Sequence, residues 1–410
     1  MFLIAWLLFG RHLQAGEAQQ IDAGTIKLEV CISRTAHLFH VVDQLSAWSE
    51  FSHRQYASFF EPLDDRDREL LAKHVAVRND RPWGQGLEQT FYTPADLETA
   101  LREGVKVGWL TAAQARTERE VLTHFAPRIE RLLANERGTL ERFRTRLADK
   151  ASDLERFSEK LSRFCHGVRP TVPVYLLANP SDDSIGGGYN GGRLTLEVPR
   201  VRDAYPSFLH EIMHAFLDGE KPRIEGAAKK VNGLDAMTLN EGIAYALAPG
   251  LIHADSDGPD PLARQVASDL ASMKPLDDAY TRFNRFGLAL RPLLKQALEH
   301  ETATLESFLP RATDAWRVVT ELDTAISQRT TGQRAQANPA RKTFFSTGPG
   351  WKVLGEVVRA DLYARNHTAE HYRKIIKRAR PGDTLVLLFA LDHSDRIVPE
   401  EYRDLMPQPW

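Results

Sequence analysis

Cysteine is nearly missing from this chain: Cys31 and Cys165 are the only two in 410 residues. They permit one disulfide at most, so a fold stapled by several bridges is excluded. An excess of either charge is missing too. The 53 Lys and Arg residues nearly balance 55 Asp and Glu, for a formal charge of −2, which gives no global reason to expect a nucleic-acid partner. Tyr372–Arg380 is locally basic and reads as a solvated helix face. No apolar run approaches the roughly 20 residues of a stable membrane span; the run Phe2–Phe9 is far too short. No internal repeat is present. The glycine cluster Gly186–Gly192 lacks a following Gly-Lys-Ser/Thr and leads into a strand, so it is not a phosphate loop. What remains is an ordinary globular composition, 42% hydrophobic and 26% charged, with room for two or three domains.

Against that background one motif stands out, His210-Glu211-Ile212-Met213-His214. On a helix, histidines four residues apart lie one above the other on the same face, so both imidazoles can reach one ion. Glu211 is offset around the helix, where it can address a metal-bound water rather than the metal. Helical context is present. Pro206 suits a first turn, and Phe208, Leu209, Ile212, Met213, Phe216 and Leu217 recur at helical spacing up to Gly219. These apolar positions avoid the His210/His214 row, which predicts a helix buried on its back and open to a cleft on its front.

A catalytic zinc needs a third protein ligand and one open position. The sequence has Leu217 and Glu220 where a metzincin has glycine and histidine, so that subclass is excluded. Downstream, Thr238-Leu-Asn-Glu-Gly-Ile-Ala-Tyr-Ala-Leu247 reads as a second helix ending at Pro249-Gly250, with Glu241 in its first turn. Here the chain resembles the gluzincins, metallopeptidases that add a glutamate from a following helix to the two motif histidines. Asn240-Glu241-Gly242-Ile243-Ala244 is similar to their Asn-Glu-Gly-x-Ala form, and the resemblance makes His210, His214 and Glu241 the Zn2+ ligands. Two other readings stand beside this one. Thr238-x-x-Glu241 is also a capping box, in which the glutamate only satisfies the helix terminus. Asp235, in Asn232-Gly233-Leu234-Asp235, is an aspzincin-like competitor for the third position. Asp218, one turn beyond His214, is either an orienting partner for an imidazole or a solvated acid.

The resemblance extends upstream. Arg193–Val198 alternates apolar and polar residues and is expected to be a half-buried strand, with Pro199 suggesting an edge or a strand end. Zincins pair extended substrate with an edge strand near the zinc helix, which makes residues 193–198 the expected peptide-binding rim, with Gly186–Gly192 a flexible turn before it. The Gly-x-Met-x-Asn motif of gluzincin aminopeptidases is missing, so that activity is unsupported. Farther upstream, Arg34–Phe51 with Tyr56 and Phe59-Phe60 is similar to the N-terminal region of a group of uncharacterised bacterial proteins classed with the metallopeptidases. His37 and His40 lie there, as possible metal ligands or as satisfied histidines of the core or surface.

The fold class expected is mainly α with small β parts (α+β), a zincin-like catalytic domain joined to a helical N-terminal region. Residues 1–18 resemble a secretory signal peptide ending near Ala18, although the run 2–9 also reads as a buried helix. Export to a periplasmic or extracellular space is the expectation, cytoplasmic residence the alternative. A strand at Thr25–Cys31 precedes a helical stretch from 34 to 165. Within it, Leu140, Phe143, Leu147, Leu154, Phe157, Leu161 and Phe164 form a heptad-like seam that packs inside the domain. The N-terminal domain is placed at 19–170 and the catalytic domain at 171–329. A linker at 330–342 and a small α/β unit at 343–410 follow, the latter with helices near 351–361 and 368–378 and a strand at 384–391. Cys31 and Cys165 are either one disulfide or two buried thiols.

The expected chemistry is hydrolysis of a peptide or protein substrate. The metal lowers the pKa of a water, and Glu211 takes its proton and passes one to the leaving amine. Tyr245, one turn after Glu241, is a candidate donor to the oxyanion, with support of a metal ligand or simple packing open beside it; Tyr280, His371 and His393 are unranked competitors. A zinc site serving other chemistry, or a helical interaction protein with a coincidental motif, are the alternatives.

Overall fold

A computed structural model describes residues 18–49, 51–52, 55–181, 185–252, 261–271, 274–330, 342–347 and 384–389. They divide into two compact units at Gly219/Glu220. Among the described residues helices dominate and the one sizeable sheet has five strands, so the chain is mainly α with small β parts. Among the described residues no helix is long and apolar enough to cross a membrane. The apolar run 2–9, most of 330–342, and the expected helices near 351–361 and 368–378 lie outside the described residues.

The first unit opens with a hairpin, β1 (Gln19–Ala23) and β2 (Ile26–Cys31), turned at Gly24 with φ +67°. Only β2 was legible as a strand. Seven helices follow: α1 (Arg34–Leu45), α2 (Gln55–Phe60), α3 (Asp65–Asp80), α4 (Leu87–Phe91), α5 (Leu97–Lys106), α6 (Ala112–Asp149) and α7 (Ala151–Phe164). The starts of α1, α3, α5 and α6 are fixed by Ser33, Asp64, Asp96 and Thr111, each of whose side chains accepts a first-turn amide. The heptad-like seam is broken at Lys150, where α6 ends and α7 begins. Leu140, Phe143, Leu147, Leu154, Leu161 and Phe164 are buried along it. Cys31 and Cys165 are two buried thiols and form no disulfide, and burial pushes the Cys31 thiol up to about 11.

The chain then returns to the sheet with β3 (Thr171–Ala178), β4 (Gly187–Asn190) and β5 (Arg193–Val198), giving the order β1-β2-β3-β5-β4. β3 runs parallel to both β2 and β5, and β4 is antiparallel to β5. The boundary expected at residue 170 therefore falls inside one sheet, between strands that pair with each other. A second expectation is corrected here. β5 is bonded on both sides and is interior; β4 is the edge. The alternation in β5 suggested one solvated face, yet Thr195 and Glu197 are buried with Leu194 and Leu196. The glycine cluster, expected to be a turn, supplies both β4 and its link to β5, where Gly191 and Gly192 take φ of +60° and +76°.

Helix α8 (Tyr205–Asp218) closes the unit. Its approach is clamped from α6: Arg146 donates to both carboxylate oxygens of Asp203, at 2.7 and 2.9 Å, and Arg200 grips the buried Glu136. Asp203 in turn accepts the Tyr205 amide at 2.9 Å.

The second unit holds α9 (Lys221–Ala228), α10 (Ala236–Tyr245), α11 (Pro261–Ala271), α12 (Ala279–Glu299) and α13 (Leu305–Thr330), with a wide turn at Ala246–Leu251 after α10. α12 packs against α10, α11 and α13. The parallel strands β6 (Lys342–Thr347) and β7 (Thr384–Phe389) follow, β7 inside the strand expected at 384–391.

Candidate metal centre and its base

Helix α8 carries the His-Glu-x-x-His motif as its sequence implied. Pro206 sits in the first turn, and Phe208, Leu209, Ile212, Met213, Phe216 and Leu217 are buried. That packing fixes the rotation of the helix and leaves His210 half-buried on the opposite side. The Nε2 atoms of His210 and His214 approach to 3.2 Å, with ring centroids 4.9 Å apart.

Glu241 joins them. Each of His210, His214 and Glu241 offers one ligand atom, and these atoms all lie within 4.8 Å of one another, a grouping that could hold a metal ion. Glu241 is not in the first turn of its helix, as the sequence suggested. α10 begins two residues earlier, with Asp235 as its N-cap. The Asp235 carboxylate accepts the Thr238 amide at 2.6 Å and its hydroxyl at 3.1 Å. Thr238 is thus the third helical residue of an Asp235 cap and not a cap itself, so the capping-box reading of Glu241 has no helix terminus to serve. Asp235 is committed to the cap.

The small residues beside Glu241 have a packing cause. A Cβ at Gly242 would stand 2.5 Å from Cδ1 of Phe286 on α12, and one at Gly287 would stand 2.6 Å from Cβ of Tyr245. Two glycines, one on each helix, let α10 and α12 approach closely and so fix where Glu241 stands. Tyr245 lies at the end of α10, half-buried, its ring 6.0 Å from that of Phe283 and packed on Leu262, Ala263, Val266 and Leu288. Its ring is part of that apolar packing. Tyr280 is largely exposed, and its ring packs edge-on against Phe283; His371 and His393 lie outside the described residues.

Glu211 is only 7% exposed. It faces β4: a Cβ at Gly187 would meet Glu211 Oε1 at 2.9 Å, Cγ at 3.1 Å and Cδ at 3.3 Å. The edge strand thus passes directly beside the motif carboxylate, and a side chain at Gly187 would have to displace it. Sequence reasoning missed Gly187 because strands generally disfavour glycine, although an isolated glycine that admits a close neighbour is a known exception. Two residues on, Tyr189 shares the Gly187 face. Burial pushes its hydroxyl up to about 12, and the charge of Asp218 adds to the shift. Asp218 itself is exposed.

His37 and His40 lie away from this centre, among satisfied core groups. His37 Nδ1 lies 2.7 Å from the Ser33 carbonyl and Nε2 accepts the Ala178 amide at 3.0 Å. His40 lies 2.8 Å from a Glu197 carboxylate oxygen and 3.2 Å from the Tyr92 hydroxyl.

Compared with family models, curated proteins and solved structures, the chain shows no significant match to any.

Proposed function

We propose that this chain is a zinc-dependent peptidase whose metal is held by His210, His214 and Glu241 and whose general base is Glu211. The observation that carries the reading is the convergence of those three ligand atoms within 4.8 Å beside a carboxylate that is buried yet belongs to the same helix turn. The spacing suits the ion. Two nitrogens bound to tetrahedral zinc at about 2.05 Å stand about 3.3 Å apart, and the imidazole nitrogens here stand 3.2 Å apart. Two imidazoles and one carboxylate also match the donor set of a catalytic rather than a structural zinc, which leaves one position for solvent or substrate.

Bound zinc would supply Lewis acidity, lowering the pKa of a water and polarising the scissile carbonyl. The chain's own groups do the rest. Glu211 takes the water's proton and delivers one to the leaving amine, a role that suits a carboxylate largely withdrawn from solvent. Strand β4 orients the substrate. Gly186 and Glu197 are bonded across the ladder at 2.8 Å, and antiparallel alternation then turns the N–H and C=O groups of Gly187 and Tyr189 away from β5. An extended peptide pairing there lies beside Glu211, by strand addition. The zincin-like expectation for a substrate-binding edge is retained in this reading, moved from residues 193–198 to Gly187–Asn190.

The test is metal analysis joined to a peptide-library assay. One zinc per chain, retained in Glu211→Gln but lost in Glu241→Ala, with cleavage abolished in both, supports the reading. Wild-type protein that takes up no zinc at neutral pH overturns it, as does zinc retained at full stoichiometry in Glu241→Ala.

A further inference from the structure

Beneath β4 lies a buried carboxylate that the proposed chemistry does not use. Glu197, on β5, is 1% exposed. Burying an ionised carboxylate costs several kcal/mol unless its oxygens are filled, and here they are. Oε1 faces His40 Nε2 at 2.8 Å. Oε2 accepts the Gly186 amide at 3.1 Å, with Asn179 Nδ2 at 3.5 Å. The Tyr92 hydroxyl, 3.2 Å from His40 Nδ1, completes a consistent tautomer: Nε2–H donates to Glu197 and Nδ1 accepts from Tyr92.

The strand held in this way cannot define itself. Gly187 and Gly188 are half of β4, and a glycine-rich strand has weak β preference and a weakly specified register. Its far end is tied by the Gly191-Gly192 turn and by Arg193, which donates to the Gly191 carbonyl at 2.8 Å. Its near end is tied through Gly186, by the ladder bond to the Glu197 backbone and by the carboxylate above. The next residue is Gly187, against Glu211.

We propose that Glu197, oriented by His40, is a positioning residue that pins the entry of the edge strand and thereby sets the distance between that strand and Glu211. The catalytic part of this inference rests on the peptidase reading; the structural part does not. Backbone amide exchange separates them, since it needs neither metal nor substrate. In Glu197→Leu, which has no acceptor, exchange of the Gly186, Gly188 and Asn190 amides, those turned toward β5, is expected to accelerate at least about tenfold, while β3 and α8 keep their protection. Glu197→Gln keeps one acceptor for Gly186 and should restore protection. If Glu197→Leu does not fold, His40→Leu, which leaves the carboxylate but frees its orientation, should show a smaller acceleration over the same amides. On extended peptides the same variants should raise KM more than they lower kcat, with zinc content unchanged. Unaltered exchange at Gly186, Gly188 and Asn190 overturns the proposal, and so does a loss of protection spread evenly through β3 and α8. A wild-type protein that cleaves no peptide overturns the peptidase reading instead, and the exchange result stands apart from it.

Discussion

Gly187 and Glu211 compete for one space: a Cβ at Gly187 would stand 2.9 Å from Glu211 Oε1. Gly187→Ala must move either the strand or the base. The strand is the stiffer of the two at this point, because its entry is bonded to Glu197. The carboxylate is therefore expected to shift. Displacement of a positioned base by about 1 Å can cost on the order of a hundredfold in rate, so kcat should fall by about that factor with one zinc per chain still bound. Wild-type turnover in Gly187→Ala would remove Gly187 from any account of the site.

Asp235 and Glu241 are the two acids that competed for the third ligand position, and the fold gives them different work. Asp235 caps α10. Asp235→Ala should cost about 1 kcal/mol of stability, the usual value of such a cap, and leave zinc content at one per chain. Glu241→Ala should do the reverse, losing the metal with a smaller change in the apoprotein's melting temperature. Equilibrium denaturation of the metal-free forms, paired with metal analysis, distinguishes the two. Zinc lost with Asp235 and kept without Glu241 would exchange their roles.

Helix α8 was legible in full, because its apolar positions have one period, its first turn has a proline, and its histidines fall on the remaining face. The identity of the third ligand was legible only as a resemblance. Thr238-x-x-Glu241 carries a capping pattern that local sequence cannot resolve; the cap one turn earlier at Asp235 resolves it. The sheet was read less well. β5 alternates like a half-exposed strand, but Thr195 and Glu197 are buried: Thr195 donates to the Gly188 carbonyl, and Glu197 meets Asn179 and, from far away in sequence, His40 with Tyr92 behind it. β4 was hidden for a related reason: glycines chosen for a close neighbour look the same as glycines chosen for a turn. β1 escaped because Gln19–Ala23 has little hydrophobic pattern beyond Ile21 and Ala23.

Gly242 tests how the position of Glu241 is set. Its missing side chain admits Phe286, whose Cδ1 stands 2.5 Å from where a Cβ would be. Phe286 is fully buried and cannot swing into solvent, so Gly242→Ala overpacks the α10–α12 seam, at about 1–3 kcal/mol. Helix propensity acts in the opposite direction by about 1 kcal/mol and does not offset the larger figure. The expected result is a lower melting temperature together with weaker zinc retention, since Glu241 is the adjacent residue. A variant more stable than wild type would mean that α10 shifts to accept the methyl.

Two buried histidines predict the shape of the stability curve against pH. His37 is neutral in the fold. Burial lowers its pKa to about 4, its hydrogen bond to Ser33 opposing only in part. His74 is the opposite case. Burial alone would lower it, but Glu118 and Asp43, both hydrogen-bonded to its ring, raise it to about 9. Both return to about 6.5 on unfolding. Below 6.5 the unfolded chain takes up a proton at residue 37 that the native state refuses, so the His37 contribution is lost as pH falls toward 4. Above 6.5 the unfolded chain releases the proton at residue 74 that the native state keeps, so the His74 contribution is lost as pH rises toward 9. Each limb is worth about 3 kcal/mol at most. Asp43, held below the usual carboxylate range by Arg78 and His74 against the cost of burial, adds a further loss only below about pH 4. Melting temperature should therefore peak between pH 6 and 7 and fall on both sides. Imidazole C2 exchange by mass spectrometry should find His37 titrating below 5 and His74 above 8. A melting temperature that is flat from pH 5 to 9, with both rings titrating near 6.5, would mean that neither histidine is held as the structure places it.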